Sequence, residues 1–291
     1  MRITESRMME LAAAQVSDAR DKAAQAQQVL SSGTKVAAPS DDPAAWADGQ
    51  RAAIRQTMSQ GRGQAISMAV SSLQQTDSML SQTSSSLTQL GALGVQGATG
   101  TLDATQRQGI AIQVRSLKEI AIDALNQKGP DGSYLLSGTK GNVAAFSAAG
   151  VYQGDGTVRN LPVAENGSAP GAVSGQDLTT ANGGVDVLGV FDTLATALDA
   201  NDVPGIQAAL GTIQQALSQL STLHTQVGSR LTALQSADDA RQSFEINLAN
   251  QHAAAVEADP VTAASNLTRA STVLQSSQAA AQQIIAMLQP R

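Results

Sequence analysis

The stretch IQAALGTIQQALSQLSTLHTQVGSRLTAL, residues 206–234, decides the fold class. Ile206, Leu210, Ile213, Leu217, Leu220, His224, Val227, Leu231 and Leu234 follow one another at alternating steps of four and three, and all but His224 are apolar. A mean step of about 3.5 residues marks a helix whose apolar seam faces another helix. If this helix runs on to about Val256, its roughly 50 residues span about 75 Å at 1.5 Å each. Helices in globular domains average about 11 to 12 residues, so the stretch predicts an elongated rod.

Working outward, four more seams share this spacing. Toward the N-terminus lie Met9, Ala12, Val16, Ala19, Ala23, Ala26 and Leu30, then Ile66, Val70, Leu73, Asp77, Leu80, Ser84 and Leu87. A run of Ile110, Val114, Leu117, Ala121 and Ala124 is predicted to stop at Gly129-Pro130. The last seam is Leu267, Ala270, Leu274, Ser277, Ala281, Ile284 and Leu288. The predicted class is mainly α, an elongated helical rod or coiled-coil bundle.

The centre differs. Residues 129–184 are rich in glycine and carry Asp131-Gly132, Asp155-Gly156, Asn166-Gly167 and Asn182-Gly183, with prolines at 162 and 170. Segments 134–137, 151–153 and 158–163 sit between these turn signals and read as short strands or hairpins. The centre is therefore a small β-rich insertion at one end of the rod.

A second break, GTKVAAPSDDPAAWADG at residues 33–49, interrupts the helical pattern near the N-terminus. Gly33 follows the last seam residue, Leu30, and suits a helix C-terminus, where a left-handed backbone costs glycine little. Asp42-Pro43 reads as a helix start: the carboxylate accepts from orphan amides, and proline at the first helical position has no amide to leave unpaired.

Composition narrows the function classes. The 291 residues are 42% hydrophobic but only 2% aromatic, which favours helices packed through Ala, Leu, Val and Ile. A net charge of -6 with scattered basic residues gives no electrostatic footprint for nucleic acid. The absence of cysteine excludes disulfides and thiolate metal sites. No apolar run approaches 18 residues, so no membrane-spanning helix is expected, and MRITESRMME lacks the apolar core of a secretory signal.

Catalytic chemistry finds little footing. His224 and His252 lie four heptads apart, about 42 Å along one helix, too far to share a metal. His224 reads as a tolerated polar seam residue, with a role in fixing register as the sharper alternative. Asp41-Asp42 lacks the further ligands of a calcium loop, and no glycine-rich loop leads into Lys-Ser/Thr. No cofactor, metal or catalytic residue is assigned, and the chain is not expected to be an enzyme.

The two ends look incomplete. The N-terminal seam has only Met9, Val16 and Leu30 as large apolar residues, too few to offset the conformational entropy of ordering the segment. The C-terminal seam shares its spacing and is its natural partner. Met9, Val16, Leu30, Leu267, Leu274, Ile284 and Leu288 are therefore the expected assembly interface, completed by neighbouring molecules.

Two motif blocks carry a resemblance. The first is MRIT, then Leu30-Ser31-Ser32-Gly33 leading into Pro39-Ser40-Asp41-Asp42-Pro43. The second is GSYLLSGTKGNVAAFSAAGVYQGD, in which Gly132, Tyr134, Ser137, Gly138, Thr139, Phe146, Tyr152, Gly154 and Asp155 match. With them the chain resembles the flagellin-like axial proteins of the bacterial flagellum, and the Asp-Asp-Pro form is similar to the hook-associated protein 3 type. It departs at Leu136, where Phe is usual, at Ala145, where Pro is usual, and in its Gln289-Pro290-Arg291 end.

The resemblance implies a structural subunit at the hook-filament junction, located on the extracellular flagellum. It implies discontinuous domains: 1–42 with 257–291 as an inner coiled coil, 43–140 with 186–256 as a helical rod, and 141–185 as the insertion. It further implies export unfolded through the flagellar type III apparatus, uncleaved. The implied partners are other copies, the first hook-associated protein, flagellin and a cytosolic export chaperone. Filament flagellin itself and an unrelated coiled-coil adaptor are the alternatives.

Overall fold

A computed structural model of the chain describes residues 2–158, 160–164 and 167–288, with no account of the side chains of residues 2–5, 164, 182 and 288. The described chain is mainly helical, as expected. Its helices are α1 (Arg2–Ser32), α2 (Pro43–Gly97), α3 (Ala104–Leu125), α4 (Gly189–Asp199), α5 (Val203–Val256) and α6 (Pro260–Leu288). Two short strands, β1 (Asn160–Ala164) and β2 (Gly167–Pro170), pair antiparallel between α3 and α4. The residues fall into two compact units, Met1–Met58 with Phe244–Arg291, and Ser59–Ser243.

The Ser59–Ser243 unit holds most of the buried hydrophobics. Along α5 the seam alternates between fully buried Ile206, Ile213, Leu220, Val227 and Leu234 and half-buried Leu210, Leu217 and Leu231. On α2, Ile66, Leu73, Leu80 and Leu87 are buried in the same core. α3 contributes Ile110, Val114 and Ala121, and α4 packs against α3 while burying Phe191, Leu194 and Leu198. Near the end of α2 the core needs small residues: a Cβ at Gly94 would sit 2.7 Å from Leu210 Cδ2, inside ordinary van der Waals contact.

Two of the polar interruptions of the seams meet. Asp77 Oδ1 of α2 lies 2.8 Å from His224 Nδ1 of α5. A pair at facing seam positions fixes one register of the two helices, because any slip separates it.

The central segment corrects two expectations. Residues 134–137 and 151–153 are not strands: Tyr134 and Tyr152 each make one isolated bridge, to Lys128 and Phe146 respectively. Tight turns at Asp131-Gly132 and Gly150 leave no room to extend either pairing. β1 begins at Asn160 and pairs Asn160 with Pro170, Leu161 with Ala169 and Pro162 with Ser168. The expected Asn166-Gly167 turn and part of segment 158–163 lie outside the described residues. α3 also ends earlier than Gly129-Pro130, at Leu125. There Asn126 turns its amide to the backbone of Phe146, donating to its carbonyl at 2.8 Å and accepting its N–H at 2.9 Å.

Candidate functional site: the paired terminal helices

The local signals at residues 33–49 build the start of this site. Gly33 has φ of +70° and donates its N–H to Val29 O at 2.9 Å, ending α1. The next amides turn to the end of α5: Lys35 N–H donates to Val256 O at 2.8 Å, and Lys35 Nζ to Ala254 O at 2.6 Å. In return Ala258 N–H donates to Gly33 O at 2.8 Å, and Thr34 bridges Glu257. The carbonyls that α5 leaves unpaired at its C-terminus are thus satisfied by the loop after α1.

Each aspartate here has a defined task. Asp42 Oδ1 accepts from the amides of Ala44 and Ala45 at 3.0 Å, the N-cap of α2 ahead of Pro43. Asp41 faces the other way and accepts from the amides of Ala37 and Ala38 at 2.9 Å, closing the loop. Asp259 caps α6 by accepting from the Thr262 hydroxyl at 2.6 Å and amide at 3.0 Å, which holds its carboxyl below the usual range. These caps fix where α1 and α6 begin to run beside each other, in contact and antiparallel.

The pairing is thin. Val16, Leu267, Leu274 and Ile284 are half-buried, whereas Met9 and Leu30 are exposed; the side chain of Leu288 lies outside the described residues. Among the described residues of this unit the buried hydrophobics are Ala19, Val36, Ala52, Leu248, Val256 and Ala263. Large apolar side chains instead face outward, with Met8 56%, Leu11 60%, Val261 76% and Met287 82% exposed. An apolar groove of about 550 Å³ opens between α1 and α6, walled by Met9, Ala12, Val16, Ala281, Ile284 and Ile285.

The second motif block forms a knot in the other unit. Tyr152 donates its hydroxyl to Leu136 O at 3.0 Å and accepts Gly156 N–H at 3.3 Å. Its ring stands 5.5 Å from that of Phe146, centroid to centroid. Asp155 accepts from the Thr139 hydroxyl and amide and from the Thr157 amide, which lowers its carboxyl pKa. Gly138 needs its φ of +71° and the room its missing Cβ leaves for that carboxylate. Tyr134 lies under Lys128 Nζ, 5.0 Å from its ring centroid. The departures Leu136 and Ala145 are both fully buried in this knot.

Sequence reasoning missed three anchors. Arg107, 4% exposed, donates to Gly97 O and Thr99 O at 2.8 Å each, and to Asn201 Oδ1. Asn126 and the side chain of Lys118, which donates to Ala149 O and pairs with Asp192, are the others. A charged or amide residue inside an apolar helical run was the available signal. Among the described residues no group of three or more His, Cys, Asp or Glu could hold a metal ion.

Residues 5–141 match the family described as bacterial flagellin N-terminal helical region. Flagellar hook-associated protein 3 of Escherichia coli (strain K12) is 22% identical over 271 residues, covering 85% of this chain and 86% of that protein. A Vibrio parahaemolyticus structure, described as a candidate flagellar hook-associated protein, is similar with a TM-score of 0.67 and 23% identity, covering 74% of this chain and 99% of that one. The flagellar junction protein FlgL of Legionella pneumophila follows with a TM-score of 0.55 and 17% identity, covering 72% and 100%. With its capped break at residues 33–49 and its knot around Tyr152, the chain thus carries a match to the bacterial flagellin N-terminal helical region over residues 5–141 and, over most of its length, a likeness to flagellar hook-associated protein 3.

Proposed function

We infer that this chain is a structural subunit of the bacterial flagellum at the hook-filament junction, where it adapts the hook to the flagellin filament. One observation carries the inference: α1 and α6 pair with their larger apolar side chains still facing outward, so their burial is left to other molecules. The domain scheme that follows from it has 1–42 with 257–291 as the inner coiled coil, 43–140 with 186–256 as the helical rod and 141–185 as the insertion. Its partners are other copies of the chain, the first hook-associated protein on the hook side and flagellin on the filament side. A cytosolic chaperone delivers it to the type III export apparatus. No catalytic step is assigned to it.

Deletion of the gene tests this. Cells without the chain build hooks, fail to hold filaments and shed flagellin into the medium, and re-expression restores attachment. Normal filaments in the deletion strain, with no second copy present, overturn the assignment. Loss of the filament subunit itself, with no flagellin shed, favours the filament flagellin alternative.

A further inference from the structure

The buried seams of α2 and α5 share a gap. From Ile66 to Leu90 on α2, and from Ile206 to Leu234 on α5, successive buried apolar residues are no more than seven positions apart. The next one along is Ala52 on α2 and Leu248 on α5, fourteen residues away in each case. That is about four turns of helix, or about 21 Å. The gaps lie at one level, because Gly63 of α2 packs against Arg241 of α5.

The residues inside the gap favour opening of the helix. Among residues 53–65 the one buried side chain is Ser59, whose Oγ has no hydrogen-bond partner. The buried hydroxyls of Thr76 and Thr83, by contrast, donate to the carbonyls four residues back at 2.9 Å. An unpaired buried hydroxyl regains hydrogen bonds when the helix around it opens to water. Gly61 stands two residues further on, in a helix interior, where an added Cβ would meet no atom within 4 Å. Packing therefore does not call for glycine there, while its backbone freedom favours opening about fivefold relative to alanine. At Gly63 a Cβ would lie 2.7 Å from Arg241 Cζ. Arg241 donates Nε–H to Asp238 Oδ1 of its own helix at 2.7 Å, so a flat guanidinium lies against α2 where a seam would place an interlocking knob.

We propose that residues 59–63 of α2 are a joint, at which this 55-residue helix opens and bends while the packed residues from Ile66 onward keep their core. The α5 interval 235–247 follows the bend, because no buried apolar side chain pins it. A load placed on residues 43–57 is then absorbed by local opening at Ser59–Gly63, the least packed stretch, before it disturbs the Leu and Ile core. The joint does not depend on the junction role, which its failure would leave standing.

Amide hydrogen exchange along α2 of the full-length chain, as a monomer, tests it. Residues 59–64 exchange faster than the residues on both sides of them. Gly61→Ala adds a methyl group in open space and slows exchange at 59–64 about fivefold, with residues 206–234 unchanged. Ser59→Ala, which removes the unpaired hydroxyl, slows the same amides. Protection that falls from Ile66 to Pro43 without a minimum is fraying from one end and overturns the joint; so does an unchanged rate in Gly61→Ala, or a slowing spread over the whole chain. Backbone dipolar couplings in weakly aligned protein read the bending itself. Residues 45–57 show a smaller degree of order than residues 67–90, and Gly61→Ala brings the two closer; equal order in the unaltered chain overturns the proposal.

Discussion

Arg107 shows how much one side chain organises the Ser59–Ser243 unit. Its buried guanidinium reaches the carbonyls of Gly97 and Thr99 at the end of α2 and the amide of Asn201 in the turn before α5, a turn that needs a φ of +54° at Asn201. Replacing it with methionine keeps the aliphatic stem but strands those carbonyls, at a cost of about 2 to 3 kcal/mol. Urea unfolding of Arg107→Met should show that loss at unchanged m; an unshifted midpoint contradicts it. Asp77 and His224 form a partly exposed pair, so their coupling is smaller, about 0.5 to 1 kcal/mol. A double-mutant cycle with Asp77→Asn and His224→Gln at pH 6 measures it, and a coupling of zero removes the register role. Tyr152→Phe keeps the ring against Phe146 and deletes the hydroxyl that serves Leu136 and Gly156, for about 1 kcal/mol in the same assay. An unchanged unfolding midpoint for Tyr152→Phe would show the hydroxyl to be dispensable.

At the scale of elements, carboxylates set where helices and loops begin, and two of them tie that to pH. Asp155 and Asp259 have carboxyl pKa values lowered first by the hydroxyls of Thr139 and Thr262 respectively, and then by nearby amides. A lowered folded pKa means stabilisation that is present above the unfolded value, about 3.9, and lost as pH falls through the folded one. The knot around Tyr152 and the start of α6 should therefore loosen only below about pH 4. Amide chemical shifts of Thr139, Thr157 and Thr262 followed from pH 7 to 2.5 check this, and Asp155→Asn should flatten the response at Thr139 and Thr157 alone. Movement already complete at pH 5 contradicts it. The caps were legible because Asp42-Pro43 and Gly33 each leave one plausible backbone state, and the seams of α2, α3 and α5 because about four to eight turns of regular spacing outweigh a few polar interruptions. α4 was missed: it has only 11 residues, and Leu188 at its start makes no side-chain cap bond. The central strands were overread because turn residues show where a chain reverses and do not show whether the flanking residues pair beyond one bridge. The Asp77–His224 contact lay beyond reach for another reason, since each seam shows a polar position but the register between two seams is set only by their packing.

Across the whole molecule, burial is uneven, and that unevenness carries the functional account. The Ser59–Ser243 unit buries rows of Leu, Ile and Val, while the unit made of the two chain ends buries chiefly alanine and valine and exposes Met8, Leu11, Val261 and Met287. By area alone the first holds itself together and the second depends on what covers it. Removing residues 1–42 and 257–291 should leave cooperative unfolding of the Ser59–Ser243 unit within about 1 kcal/mol of the full chain and abolish assembly, as calorimetry and sedimentation would show. Assembly that survives the double truncation contradicts the account. The most direct test is amide hydrogen exchange of the same chain, free as a monomer and incorporated into flagella. The account predicts that α1 and α6 exchange rapidly in the monomer and become protected on incorporation, while residues 206–234 are protected in both; terminal helices as protected in the monomer as residues 206–234 would contradict it.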